Sequence, residues 1–472
     1  MDSFFTKDKQ FYKTLFSLFI VIALQNLVAY SVNMLDNIML GSYSQSALSG
    51  AATVNQIFFL VNQTALAIGN AFVAIASQYW GKRQTEPIRH YVGVAMSFSL
   101  VVAFVILVLC SMIPERILGL FTTAQEIIEQ GCAYLGLLKW TFVLFMVSNL
   151  LICALRSVEI VKISFAISVV SLITNGIINY TLIFGHFGFP EMGVRGAAVG
   201  TLTSRILELL IVVWYLVKKD EKLRLFDGGI RGILPDRETV WHYACVAAPI
   251  LLSSVVWSIS VPMQTAILGH LSADAIAANS VATTFFQYLK VIVIALSSSS
   301  AVIIGKSIGV GNEERIRSDA RTLSVIDVTT GAVLGLLLFL LRHPLLSMYN
   351  LSDEAMVLAD HLIIIMSCVM VGMSYQMPVS SGIIQSSGDT KFSMCVNLVS
   401  IWCIGCRCHS VLLLCGNCLW KWWFWRFSRI SFLKGSRYFY GSEATNGYTG
   451  LQNSSKPVYH GGPHCGGLEE CR

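Results

Sequence analysis

Long apolar blocks recur along the chain, separated by short polar connections. Each block holds the roughly 20 residues that a helix needs to cross the hydrocarbon core of a bilayer. Ten blocks lie near residues 11–35, 47–76, 90–113, 130–153, 163–185, 194–217, 240–262, 277–304, 321–341 and 357–377, and an eleventh begins near 391. No block alternates polar and apolar residues as a membrane β-strand would. The pattern therefore predicts an all-α integral membrane protein.

Composition excludes most other classes of protein. Of the 472 residues, 55% are hydrophobic and 13% are charged, whereas soluble domains carry about 25% charged residues. Soluble enzymes and nucleic-acid-binding modules are excluded, and the lipid bilayer is the expected partner. An enzyme inside the membrane would need a nucleophile–base pair or a metal motif such as His-Glu-x-x-His. The sequence contains neither, so we expect no enzymatic activity and no bound cofactor.

Basic residues concentrate in alternate connections between the blocks, which predicts sidedness. Lys and Arg precede the first block and follow the second, fourth, sixth and eighth blocks, while the other connections hold little beyond Arg116, Arg195 and Arg342. The positive-inside rule places the basic set in the cytoplasm. We therefore expect a multi-pass protein of the cell (inner) membrane with a cytoplasmic N terminus.

An internal repeat divides the chain into two halves. Residues 36–41 recur as 264–269, and the same shift of 228 residues pairs Gly81 with Gly309. Six helices in each half would leave both copies with the same orientation in the membrane. This is a parallel repeat, typical of transporters that bind between their halves. We predict an N-terminal lobe at 1–217, a cytoplasmic linker at 218–239 and a C-terminal lobe at 240–402.

Four segments carry a resemblance to a known family: residues 35–41, 190–201, 304–311 and 387–390. In their order and placement they resemble the multidrug and toxic compound extrusion (MATE) transporters of bacteria and archaea, over residues 1 to about 402. The resemblance implies two pseudo-symmetric six-helix lobes that open in a V, and a monomer. It also implies alternating access, with export of organic cations or other amphipathic toxins in exchange for Na⁺ or H⁺.

Asp36, Asn175 and Asn179 are the candidates for ion coupling. An ionisable residue inside a membrane is functional by default, although Asp36, at the end of the first block, is alternatively a loop aspartate. Asn175 and Asn179 share one helix face and are alternatively hydrogen-bonding residues that join helices. The resemblance adds Thr201 and places all four around one polar pocket. These residues fit either Na⁺ or a proton.

The second half offers a weaker set of residues for a substrate cavity. Gln264, the repeat partner of Asp36, cannot titrate, and Lys290 stands far from either end of its block. Aromatic residues that suit flat cations complete the set: Trp257, Phe286 and Tyr375. Alternatively, Lys290 reaches the interface and the aromatic residues pack in the core. A lipid-linked oligosaccharide flippase of the same superfamily is the alternative function.

The character of the chain changes after Trp402. Residues 403–472 hold seven of the 13 cysteines, and the repeat no longer matches. We interpret this tail as frameshifted, which would disrupt the last helix or two. The paired spacing Cys403-x-x-Cys406 and Cys415-x-x-Cys418 is that of a zinc site, but it falls where a spanning helix belongs. An inactive, truncated product is therefore a further alternative.

Overall fold

A computed structural model describes residues 5–122, 124–225, 236–269, 273–347, 349 and 352–399, and only the backbone at 261–269 and 273–277. The described elements are α1 (Lys9–Tyr43), α2 (Gln45–Gly81), α3 (Glu86–Met112), α4 (Pro114–Gly119), α5 (Gln125–Ser157), α6 (Lys162–Phe184), α7 (Val194–Lys218), α8 (Arg237–Gly269), α9 (Ala273–Val310), α10 (Glu313–Leu346), α11 (Asp353–Met377), a π-helical turn (Pro378–Ile384) and α12 (Thr390–Leu398). A 3₁₀ turn (His186–Gly188) follows α6.

Ten of the described helices are long and apolar enough to cross a membrane. They correspond to the ten apolar blocks, so the predicted all-α membrane fold is confirmed. The eleventh block begins at Thr390 in α12. Part of the predicted linker, residues 226–235, and the chain from residue 400 onward lie outside the described residues. The hypothesis of a frameshifted tail therefore stays a prediction.

The first helix is longer than its apolar block. Instead of ending near residue 35, α1 continues to Tyr43, where the backbone N–H of Ser44 caps it by donating to the carbonyl of Leu40. Nothing between 36 and 43 breaks a helix, and Leu40 is buried in the core. Asp36 therefore lies inside a helix, which is against the alternative that it is a loop aspartate.

Buried apolar residues join the two repeats at one end of the molecule and separate them at the other. Near the end that holds the N terminus, Leu15 and Phe72 belong to one core with Ile304 and Ile316. At the opposite end, one core consists of first-repeat residues such as Phe142. A second core there consists of second-repeat residues, among them Val281, Leu338 and Ile363. The two lobes thus share one core at the N-terminal end, called the apex below, and have separate cores at the opposite end.

Small residues let α2 and α9 cross closely at this apex. A Cβ added to Gly81 would lie 2.9 Å from the Cα of Gly309, and one added to Gly309 would lie 2.9 Å from the Cα of Gly81. One helical turn away, a Cβ on Gly305 would lie 2.8 Å from the Cβ of Ser77. The repeat shift of 228 relates 81 to 309 and 77 to 305. The pseudo-two-fold axis therefore passes through this crossing.

Polar contacts reinforce the same junction. The Thr6 hydroxyl donates to Asp319 Oδ1 at 2.7 Å, and the Ser307 hydroxyl donates to Asp319 Oδ2 at 2.7 Å. Lys306 Nζ lies 2.6 Å from Glu159 Oε1. Thr6 and Glu159 belong to the first repeat, whereas Lys306, Ser307 and Asp319 lie at the corner between α9 and α10. The contacts of Asp319 with Thr6 and of Lys306 with Glu159 therefore connect the two repeats. The N-terminal segment is therefore part of the junction between the lobes.

Substitution of Gly305 tests the crossing. Gly305→Ser should lower the thermal unfolding temperature in detergent, because the new side chain meets Ser77 and overpacking costs about 1–3 kcal/mol. The double variant Ser77→Gly/Gly305→Ser exchanges the two positions across the pseudo-two-fold axis and should recover most of the loss. Gly136→Ser is the control, since a Cβ there meets nothing within 4 Å. Equal melting of Gly305→Ser and Gly136→Ser would contradict the crossing.

Candidate functional site: a polar cluster in the first lobe

The four residues predicted to form a polar pocket lie together in the first lobe. Asp36 on α1 is 7% exposed, and its Oδ1 accepts a hydrogen bond of 2.5 Å from Asn179 Nδ2 on α6. Asn179 Nδ2 also lies 3.2 Å from Asn175 Oδ1, and Asn175 Nδ2 donates to the Thr201 hydroxyl of α7 at 3.4 Å. Three helices thus converge on one carboxylate.

Local sequence explains why these helices approach so closely. Asn175 and Asn179 stand one turn apart, so both amides project from the same face of α6 and both are fully buried. On α7, Gly200 lies directly against Asn179, and any Cβ there would overlap Asn179 Oδ1. On α6, a Cβ at Gly176 would lie 3.0 Å from the Leu35 side chain of α1. Glycine on α6 and α7 therefore sets the spacing of the cluster.

Two further groups, which the sequence did not single out, border the cluster. The buried Tyr134 of α5 lies near Thr201, and the charge of Asp36 reaches its hydroxyl. The charge of Arg205 on α7 also reaches Asp36. Tyr134 resembles many core aromatic residues in an apolar helix, so no sequence signal distinguishes it.

Arg205 is itself held by a buried carboxylate. Arg205 Nη1 lies 2.7 Å from Glu208 Oε2, and the Ser148 hydroxyl of α5 donates to Glu208 Oε1 at 2.8 Å. The spacing of Arg205 and Glu208, three residues apart on a helix, is a signal that could have predicted the pair.

Oxygen atoms dominate the chemistry of the cluster. The oxygens are the Asp36 carboxylate, the amide oxygens of Asn175 and Asn179, and the hydroxyls of Thr201 and Tyr134. Asn179 Oδ1 is buried, and the described residues provide it with no hydrogen-bond partner. A hard cation such as Na⁺ prefers oxygen ligands of this kind. A proton on Asp36 would equally remove the cost of a buried charge.

The residues predicted for a substrate cavity are only partly brought together. Lys290 Nζ lies 4.6 Å from the centroid of the Trp257 ring, and Trp257 contacts Phe59 of the first repeat at 5.7 Å between centroids. These three side chains therefore stand where the lobes face each other. Phe286 instead packs against the second-lobe cores, and Tyr375 packs against the core at the apex. The Gln264 side chain lies outside the described residues.

Two helical repeats joined at one end, with a buried polar cluster in one lobe, are typical of a membrane transporter. The MatE family model matches residues 22–181 and 249–406, one segment in each repeat. Together these segments span more than half of the chain, and the chain belongs to the MatE family.

Curated relatives and a solved structure agree with this assignment. The probable multidrug resistance protein YoeA of Bacillus subtilis is 25% identical over 82% of this chain and 84% of its own length. The probable multidrug resistance protein NorM of Rhizobium meliloti is 24% identical over 81% of this chain and 82% of its own length. A transporter of the MOP superfamily from Pyrococcus furiosus shares the fold, with a TM-score of 0.80 at 18% identity over 92% of this chain and 98% of that one.

Gly200 provides a test of the cluster that leaves its polar side chains unchanged. Gly200→Ala should displace the Asn179 amide from Asp36, and losing a hydrogen bond to a charged group costs about 1.5–3 kcal/mol. The thermal unfolding temperature in detergent should fall accordingly. Gly136→Ala is the matched control and should not destabilise, because the position is open and alanine favours the helix. A Gly200→Ala protein as stable as this control would refute the packing described.

Proposed function

We propose that this protein is a secondary active antiporter that exports organic cations and other amphipathic toxic compounds in exchange for Na⁺ or H⁺. The observation that carries the proposal is the buried Asp36–Asn179 pair in a chain of the MatE family. Curated relatives named as multidrug resistance proteins support the class of substrate. A carboxylate inside a membrane is costly to bury and marks an ion pathway or proton relay by default, which supports coupling at this site.

Sidedness follows from the charges at the apex. The apex carries basic residues, among them Lys82, Arg83, Lys306 and Arg315, and the positive-inside rule assigns such ends to the cytoplasm. We therefore propose a cytoplasmic N terminus in the inner membrane and a space between the lobes that faces outward. Transport would require the apex to separate and the opposite ends to close, which is alternating access. A single chain contains both lobes, which supports a monomer as the transporting unit.

Replacing Asp36 tests the coupling. Asp36→Asn keeps the shape of the side chain and removes its charge, so gradient-driven transport of an organic cation should fall by about tenfold or more. The measurement is drug accumulation in inverted vesicles under separately imposed Na⁺ and proton gradients, with the amount of protein in the membrane checked. The gradient that drives the unaltered chain identifies the ion.

Asp360→Asn is the matched control for this experiment. Asp360 lies on α11 and is paired with Arg342 at 3.1 Å, outside the Asp36 cluster. The control should transport at the level of the unaltered chain. Unchanged coupled transport by Asp36→Asn would overturn the assignment. An unaltered chain that transports under neither gradient would favour the inactive, truncated product.

Lys290 decides between the antiporter and the alternative, a lipid-linked oligosaccharide flippase. A flippase needs cationic groups for the phosphates of its substrate, and Lys290 stands between the lobes on Trp257. For an exporter of cations, Lys290→Gln removes a repelling charge, so KM for a cationic drug should fall several-fold. The exposed Lys391→Gln is the control. Loss of lipid-linked sugar translocation in Lys290→Gln, without any drug transport by the unaltered chain, would favour the flippase.

A further inference from the structure

Asp327, a further buried carboxylate, lies in the second lobe. It differs from the other buried carboxylates because no neighbouring side chain donates a hydrogen bond to it among the described residues. Asp327 stands on α10 and is 0% exposed. Asp36, Glu208 and Asp319 each accept hydrogen bonds from neighbouring side chains. For Asp327, by contrast, both carboxylate oxygens lack a hydrogen-bond partner among the described residues.

Hydroxyl groups of α11 are the polar neighbours of Asp327. One turn further along α10, Gly331 lies against Ser374, because a Cβ at Gly331 would lie 2.6 Å from the Cβ of Ser374. Ser374 is fully buried, and its hydroxyl also lacks a partner among the residues described. The adjacent Tyr375 interacts electrostatically with Asp327.

The backbone is irregular at the same level of the lobe. Helix α11 gives way to a π-helical turn at Pro378, one turn beyond Ser374. Such turns are rare and often occur at functional sites. The Ser297 hydroxyl of α9 reaches the carbonyl of Met377 at 3.4 Å, next to this turn. Helix α9, helix α11 and the π-helical turn each contact α10 and carry buried hydroxyls, among them Ser297, Ser374 and Ser380.

Among the described residues, no basic side chain lies within ion-pair distance of the carboxylate. The described elements that pack on α10 carry these titratable or charged residues: Tyr288, Lys290 and Lys306 on α9, and Asp353, Glu354, Asp360, His361, Cys368 and Tyr375 on α11. The π-helical turn carries none. Of these groups, Tyr375 interacts electrostatically with Asp327. An ionised carboxylate buried without a partner costs several kcal/mol, so neutralisation by a bound proton or cation is favoured.

We propose that Asp327 is a proton-binding site of the second lobe, occupied in this conformation. A hard cation takes about six oxygen ligands, whereas this site offers one carboxylate and the hydroxyls of Ser374 and Tyr375. The carboxylate takes up one proton to become the acid and releases it when the lobe opens to water. The inference does not depend on coupling at Asp36.

Infrared difference spectroscopy of the purified full chain in lipid tests the proposal. A protonated buried acid gives a carbonyl stretching band separate from amides and carboxylates, and this band should vanish in Asp327→Asn. The band should lie at the high frequency of an acid without hydrogen bonds, because neither Asp327 oxygen has a partner among the described residues. Potentiometric titration of Asp327→Asn should bind one proton fewer per chain than the unaltered protein. Asp360→Asn, in the same lobe, should change none of these signals.

Other results would overturn the assignment. Absence of a band that depends on Asp327 would mean that the carboxylate is ionised. Loss of the band on adding Na⁺ at constant pH would mean a cation site instead of a proton site. If Asp327→Asn fails to fold, Asp327→Ser replaces it in both measurements, because Ser99 is the buried residue at the matching position of the first repeat. A band that persists in Asp327→Ser contradicts the proposal. Because no transport is measured, failure here leaves the Asp36 experiment unaffected.

Discussion

The close crossing of α2 and α9 is the constraint on which the rest of the architecture depends. Within a membrane, helices associate by packing and hydrogen bonding, because lipid is as apolar as the side chains. Gly81, Gly305 and Gly309 permit backbone contact at a single point on the pseudo-two-fold axis. With the lobes fixed there, their opposite ends can separate without either lobe losing its own core.

The sequence predicted the fold in most of its parts, for physical reasons. Apolar blocks of membrane length have no alternative to a helix, so ten spans could be identified from their composition alone. The limits of the helices were less certain, because a bilayer boundary does not end a helix. Helix α1 extends beyond its apolar block to Tyr43 for this reason, and that extension brings Asp36 inside the lobe.

Prediction of the site was less complete. Asp36, Asn175 and Asn179 are unusual in apolar segments, so sequence singled them out, and spacing placed the two amides on one face. Tyr134 and Ser374 are ordinary membrane residues, and only three-dimensional neighbours give them importance. Asp327 is unusual for an apolar segment and detectable in principle. The repeat does not point to it, because the repeat partner of Asp36 is Gln264.

The repeat conserves the junction between the lobes but not their polar chemistry. The shift of 228 residues relates Ile88 to Ile316, and both are buried. On the same two helices it relates Ser99 to Asp327, which are also both buried. The position that is a serine in the first lobe is thus an acid in the second, while Asp36 in the first lobe corresponds to Gln264. Each lobe therefore holds a buried carboxylate on a different helix. In the proposed transport cycle, motion about the shared crossing would act on two unlike ionisable groups, so the two lobes need not bind the same ion.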